Sequence, residues 1–132
     1  MSVRFMLDTD TLSYAWRGHG GVKDRIAQHG PDQLCISAVT LSELLFGAAR
    51  LKSTRLNRYL AELTSDVLVM PFDQRCAVQY ARIANDLAVR GLPIGAFDTM
   101  IAAHAVTLDL TLVTNNTRHF TRVQNLRVEN WV

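Results

Sequence analysis

Short apolar runs alternate with longer stretches of helical spacing along most of this chain. Val3 to Leu7 is an apolar run of strand length that stops at Asp8. Thr11 to Trp16 and Val22 to His29 read as short helices, parted by the breaker His19-Gly20-Gly21. Leu34-Cys35-Ile36 is a second strand. From Val39 to Arg50, Leu41, Leu44, Leu45 and Ala48 fall at helical spacing, and Thr54 to Leu63 repeats it with Leu56, Leu60 and Leu63. Val67 to Met70 is a third strand, halted by Pro71. Asp73 to Arg90 carries the clearest helical pattern. There, Ala77, Tyr80, Ala81, Ala84, Leu87 and Ala88 predict a buried face, and Arg75, Gln79, Arg82, Asp86 and Arg90 a solvated one. Gly91 to Gly95 ends it, and a second helix follows from Ala96 to Leu108, with Phe97 and Ile101 expected inside. The strand Thr111-Leu112-Val113, a polar turn from Thr114 to Arg118 and a last strand around Leu126 to Val128 close the chain.

Apolar strands alternating with helices predict an α/β fold: a parallel sheet covered on both faces, in one domain spanning 1–132. In such sheets ligands bind beyond the carboxyl ends of the strands. Asp8 and the turn Thr114–Asn116 lie just past two of those ends, and Asp98 opens the helix that feeds the strand before that turn. Residues far apart in sequence are thereby expected at one rim.

The composition changes this picture little. Charged residues make up 20% of the chain, which is ordinary globular usage. No apolar run is long enough for a membrane span, and the N-terminus lacks the apolar core of a signal peptide, so a cytoplasmic protein is expected. Cys35 and Cys76 each sit in an apolar stretch without zinc-site spacing and read as two buried thiols. The net charge of +2 is a slight bias towards polyanions. Arg50, Lys52, Arg55 and Arg58 cluster, which fits either a solvated helix face or a contact to phosphates.

Three acids stand out. Each has a structural explanation when taken singly: Asp8 as a helix cap, Glu43 as the far member of a capping box begun by Thr40, and Asp98 as a first-turn carboxylate. Asp10 shares the first of these, and Asp73 is read simply as a cap. Against this, Glu43 lies among Leu41, Leu44 and Leu45, where a lone carboxylate is costly. Three carboxylates meeting at one rim repel unless a cation intervenes, and an all-oxygen donor set without Cys or paired His points to Mg2+ or Mn2+. None of the four histidines falls into a ligand or triad spacing, and none is assigned a catalytic role.

Asp8-Thr9-Asp10-Thr11 after an apolar strand, with Leu112-Val113-Thr114-Asn115 later, also suggests a haloacid-dehalogenase-type phosphatase with Asp8 as nucleophile. That reading lacks its paired acids after Thr114, where only Glu129 remains.

Four blocks in order carry a fuller resemblance: Phe5 to Thr9, Ile36 to Leu44, Ile94 to Ala105 and Leu112 to Phe120. In these the chain resembles the PIN-domain nucleases, and more narrowly the VapC toxins of VapBC toxin–antitoxin pairs. The resemblance implies a three-layer α/β/α sandwich with a small, mostly parallel sheet, and a magnesium-dependent endoribonuclease with Mn2+ as the alternative. It puts Asp8, Glu43 and Asp98 on the metal-binding acids. Asn116 falls on a fourth position that is often Asp, and Thr114 on a hydroxyl near the site. Asp10 stands where Asn is common and would restore part of the missing charge. The resemblance further implies an RNA substrate, in the nearest branch the anticodon loop of initiator tRNA. Arg50, Lys52, Arg55, Arg58 and Arg118 are candidates to hold its backbone. A VapB-like antitoxin and a homodimer that assembles further are also implied. A PIN-like module that binds RNA or a partner without cutting is the competing expectation, favoured by Asn116.

Overall fold

The computed structural model describes residues 2–132. Its strands are β1 (Phe5–Leu7), β2 (Leu34–Ser37), β3 (Leu68–Met70), β4 (Thr111–Val113) and β5 (Val128–Glu129). They form one sheet in the order β3-β2-β1-β4-β5, and every adjacent pair is parallel. The helices are α1 (Thr9–Arg17), α2 (Val22–Gln28), α3 (Ala38–Leu51), α4 (Thr54–Asp66), α5 (Gln74–Val89), α6 (Ala96–Thr107) and the short α7 (Thr117–Phe120).

The two-residue period of the strands divides the interior. Met6, Cys35 and Leu112 point to one face and pack with Ile83 and Leu87 of α5 and Ile101 of α6. Phe5, Leu7, Leu34, Ile36 and Val113 point to the other and pack with Leu12 of α1, Leu44 and Ala48 of α3 and Leu60 of α4. Both faces are therefore apolar and covered, which is the expected three-layer α/β/α arrangement, with strands apolar at successive positions because neither side meets water. Both thiols are free and buried, as expected. Among the described residues no helix is long and apolar enough to cross a membrane.

Five local expectations are corrected. On α5 the buried residues are Cys76, Ile83 and Leu87, while Ala77, Ala81 and Ala88 are exposed. An alanine brings one methyl to a core, so the larger side chains set the helix rotation. Phe97 is 54% exposed rather than buried. Helix α3 is capped by Ser37, whose Oγ accepts from the Val39 amide at 3.0 Å, so Thr40 lies inside the helix and there is no capping box with Glu43. The polar turn after β4 contains α7, and β5 begins two residues later than Leu126. Asp73 does cap α5, accepting from the Cys76 amide at 3.2 Å.

The chain builds β1, β2 and β3 outward to one side, then returns to add β4 and β5 on the other. The order reverses between β1 and β4, where the connections leaving neighbouring strands diverge and open a crevice. Asp8 follows β1 and Thr114 follows β4, so both stand at that crevice.

Candidate metal centre

Asp8 is buried, at 3% exposure. Its amide donates to Val113 O across the strand pair at 3.0 Å, which fixes it at the sheet's edge of the crevice. Its Oδ1 caps α1 by accepting from the Thr11 amide at 2.8 Å. Asp8 therefore serves both as a helix cap and as a wall of the pocket. Burial raises its pKa from 3.8 to about 6, against hydrogen bonds from Thr114 and Thr11 that favour the charged form.

Glu43 is half-buried on α3, with Leu44 buried beside it and Leu45 exposed. With Ser37 as the cap, no backbone role accounts for its placement. Its Oε1 accepts instead from Thr9 Oγ1 at 2.6 Å, across 34 residues of chain. Asp98 lies in the first turn of α6, following Gly95, whose φ of 96° is open to glycine alone at ordinary cost. Burial raises the Asp98 pKa, and the negative charges of Glu43 and Asp10 raise it further; the His119 ring in its charged form opposes them.

Asp8, Thr9, Asp10, Glu43, Asp98 and Asn116 together line one pocket of about 190 Å³. Thr114 lies beneath it, fully buried, and its Oγ1 accepts from the Asn116 amide at 2.9 Å. The Asn116 side chain reaches back to His119, with Nδ2 and Nδ1 3.0 Å apart. All five residues expected at the catalytic centre are thus brought together. Thr9 and His119 are additions that the sequence does not signal: a threonine beside an acid carries no motif of its own, and the His119 contact arises only once α7 forms.

The donor set fits a hard divalent cation. Four carboxylates line one pocket, with no thiolate and no imidazole among the lining residues. Burial is the first cause that raises the pKa of both Asp8 and Asp98, a cost that a bound cation would offset. Among the described residues no group of three His, Cys, Asp or Glu side chains is drawn closely enough together to grip an ion as it stands. One oxygen of Asp8 is engaged by the cap of α1, and one oxygen of Glu43 by Thr9.

The basic residues divide. Arg118 is exposed on α7, two residues from Asn116. Arg50 lies about 10 Å farther along α3 than Glu43, from the rise per residue, and Lys52 caps that far end. Arg55 sits over the Trp16 ring at 5.6 Å, and Arg55 and Arg58 line a separate shallow hollow with Tyr59 and Glu62. Of these basic residues, Arg118 alone lies within two positions of a side chain that lines the acidic pocket, Asn116. A larger hollow of about 370 Å³, lined by Trp16, Ile26, Tyr59 and Leu63 among others, is mostly apolar and holds none of the clustered acids. The chemistry is in the smaller pocket.

The PIN domain family model matches residues 5–126. The chain is 38% identical over 131 residues to a tRNA(fMet)-specific endonuclease VapC of Shigella flexneri, and 34% identical over 131 residues to one of Salmonella typhimurium. Each alignment covers 98% of both proteins. Among solved structures it is similar to VapBC2 from Rickettsia felis bound to a DNA fragment from their promoter, with a TM-score of 0.88 and 30% identity. That match covers 98% of this chain and 100% of the other.

Proposed function

The chain belongs to the PIN-domain family, and within it to the VapC proteins; from that membership we propose that it is the toxin of a toxin–antitoxin pair, an endoribonuclease using Mg2+, or Mn2+ in its place. PIN-domain VapC nucleases are metal-dependent in general. The observation that carries the reading is the gathering of Asp8, Asp10, Glu43 and Asp98 at the switch point of the sheet, from three separate segments of the chain: the start of α1, α3 and the first turn of α6. The phosphatase reading falls away with the family.

In this proposal Asp8, Glu43 and Asp98 hold the cation, with Asp10 lending charge and Asn116 a neutral oxygen. A bound divalent cation supplies charge for the scissile phosphate and eases loss of a proton from the attacking water. The protein's own part is positioning. Thr11 and Thr114 fix one edge of Asp8, and Thr9 holds Glu43. Arg118 meets the phosphate next along the strand. Because water is the nucleophile, the RNA 2′-OH is not needed, and the products carry 5′-phosphate and 3′-hydroxyl ends. The relatives named for tRNA(fMet) support initiator tRNA, cut in its anticodon loop, as the substrate. The VapBC complex supports a VapB-like antitoxin as partner, and the exposed Leu45, Phe46 and Leu51 of α3 offer apolar surface for the homodimer and its further assembly. A tRNA substrate and an antitoxin partner support the cytoplasm as the site of this activity.

The test is cleavage of end-labelled initiator tRNA by the purified chain, with Mg2+ or with EDTA, beside Asp98→Ala. Metal-dependent 5′-phosphate ends from the wild type alone are expected. Binding without cleavage in Mg2+ and Mn2+ would favour the non-cutting module, and cleavage undiminished by EDTA would refute the metal centre.

A further inference from the structure

The direction of the contact between Asn116 and His119 is tied to the tautomer of the ring. An amide nitrogen donates and does not accept, so with Nδ2 of Asn116 facing Nδ1 of His119 at 3.0 Å the ring nitrogen must be the acceptor. The imidazole then carries its proton on Nε2. With the amide nitrogen engaged away from the acids, the end of Asn116 left to line the pocket is its carbonyl oxygen.

The backbone leaves little other freedom. Asn116 N donates to Thr114 Oγ1 at 2.9 Å, and Asn116 O accepts from His119 N at 3.2 Å and Phe120 N at 3.3 Å. Residue 119 is thereby placed one turn beyond 116, with its ring over the amide, while Phe120 anchors α7 in the core. What remains undetermined by the backbone is which end of the amide faces the acids. A hydrogen-bond partner decides that, because the two ends differ only in donor and acceptor character. His119 does not itself line the pocket, so its influence passes through Asn116.

We propose that His119 is a positioning residue: by accepting from the Asn116 amide it aims the carbonyl oxygen into the acidic pocket and keeps the NH2 group out of it. The inference rests on the metal reading of that pocket, because only a cation distinguishes strongly between an oxygen and an NH2 group at its edge. Asn116 is the one lining side chain for which the distinction arises. The carboxylates are acceptors at both ends, and a threonine hydroxyl can turn.

The experiment is Mn2+ affinity of the full chain, read from the electron paramagnetic resonance of free Mn2+, for the wild type, His119→Leu, His119→Gln, Asn116→Asp and the double variant Asn116→Asp/His119→Leu. His119→Leu should weaken Mn2+ binding by about tenfold, the lower end for loss of an outer partner of a metal ligand. His119→Gln should stay within about threefold, because its side-chain oxygen can accept in place of Nδ1. Asn116→Asp has no end to misplace, so adding His119→Leu to it should change nothing further. A His119→Leu protein that binds like the wild type would overturn the proposal, as would an equal loss in the Asn116→Asp background or in His119→Gln. Nitrogen chemical shifts of the metal-free imidazole give a second reading: protonation at Nε2 is expected, and at Nδ1 would overturn it. If the wild type binds no Mn2+ at all, the metal centre itself fails and this inference with it, whereas wild-type binding with an unaffected His119→Leu removes the inference alone.

Discussion

Replacing Asp8 by Asn should make the metal-free protein more stable while ending its activity. In the unfolded chain this carboxyl ionises near 3.8, and in the folded protein only near 6. Between those values the folded state binds more protons than the unfolded state, so stability falls as pH rises through the window and stays lower above it. The ionised form therefore costs the fold about 3 kcal/mol at pH 7.5 and about 1 kcal/mol at pH 4.5. Asn carries no charge to desolvate, and its side-chain oxygen can still accept from the Thr11 amide, so the cap of α1 survives. Asp8→Asn should gain about 3 kcal/mol at pH 7.5, roughly 10 °C in Tm for a chain of this size. Asp8→Ala should gain less, since it loses the cap, worth about 1 kcal/mol. The assay is urea unfolding in EDTA at pH 7.5 and 4.5. A loss of stability in Asp8→Asn at pH 7.5, or a gain that does not shrink at pH 4.5, would refute the desolvation argument. Added Mg2+ should narrow the gap by stabilising the wild type alone.

Two further outcomes follow from the geometry around the other acids. Thr9→Val removes the 2.6 Å hydrogen bond to Glu43 at a half-buried site, so single-turnover cleavage should fall about tenfold, while stability changes by about 1 kcal/mol or less and Thr9→Ser restores both. An unaltered cleavage rate would show that Glu43 needs no such support. Gly95→Ala puts a side chain where φ is 96°, with open space around the new Cβ, so the penalty is backbone strain of about 1–3 kcal/mol without a clash. Because Gly95 leads into the turn that carries Asp98, cleavage should fall with stability; a melting temperature equal to the wild type's would count against the strain.

The elements were largely written in the chain because each depends on local pattern. Continuous apolar runs at Phe5–Leu7 and Leu34-Cys35-Ile36 signal strands buried on both faces, and Leu44, Ala48 and Leu60 repeat at helical spacing. The same local view misjudged the rotation of α5, where alanines and large side chains count alike in a pattern but not in buried area. It also misread Thr40 as a cap, because the competing oxygen of Ser37 is chosen by where β2 ends. The order of the family blocks could be read too, and with them Asp8, Glu43 and Asp98. What no spacing encodes is the partner that each acid meets. Glu43 finds Thr9 across 34 residues, Asp8 finds Thr114 because β1 and β4 are neighbours, and Asn116 finds His119 because α7 turns. Sequence by itself determined the residue types, the strand and helix periods and the family. Tertiary structure alone decided the sheet order that brings four carboxylates to one crevice, and the burial that lifts Asp8 to about 6. Desolvation and charge repulsion depend on distances through space, and those exist only once the chain has folded.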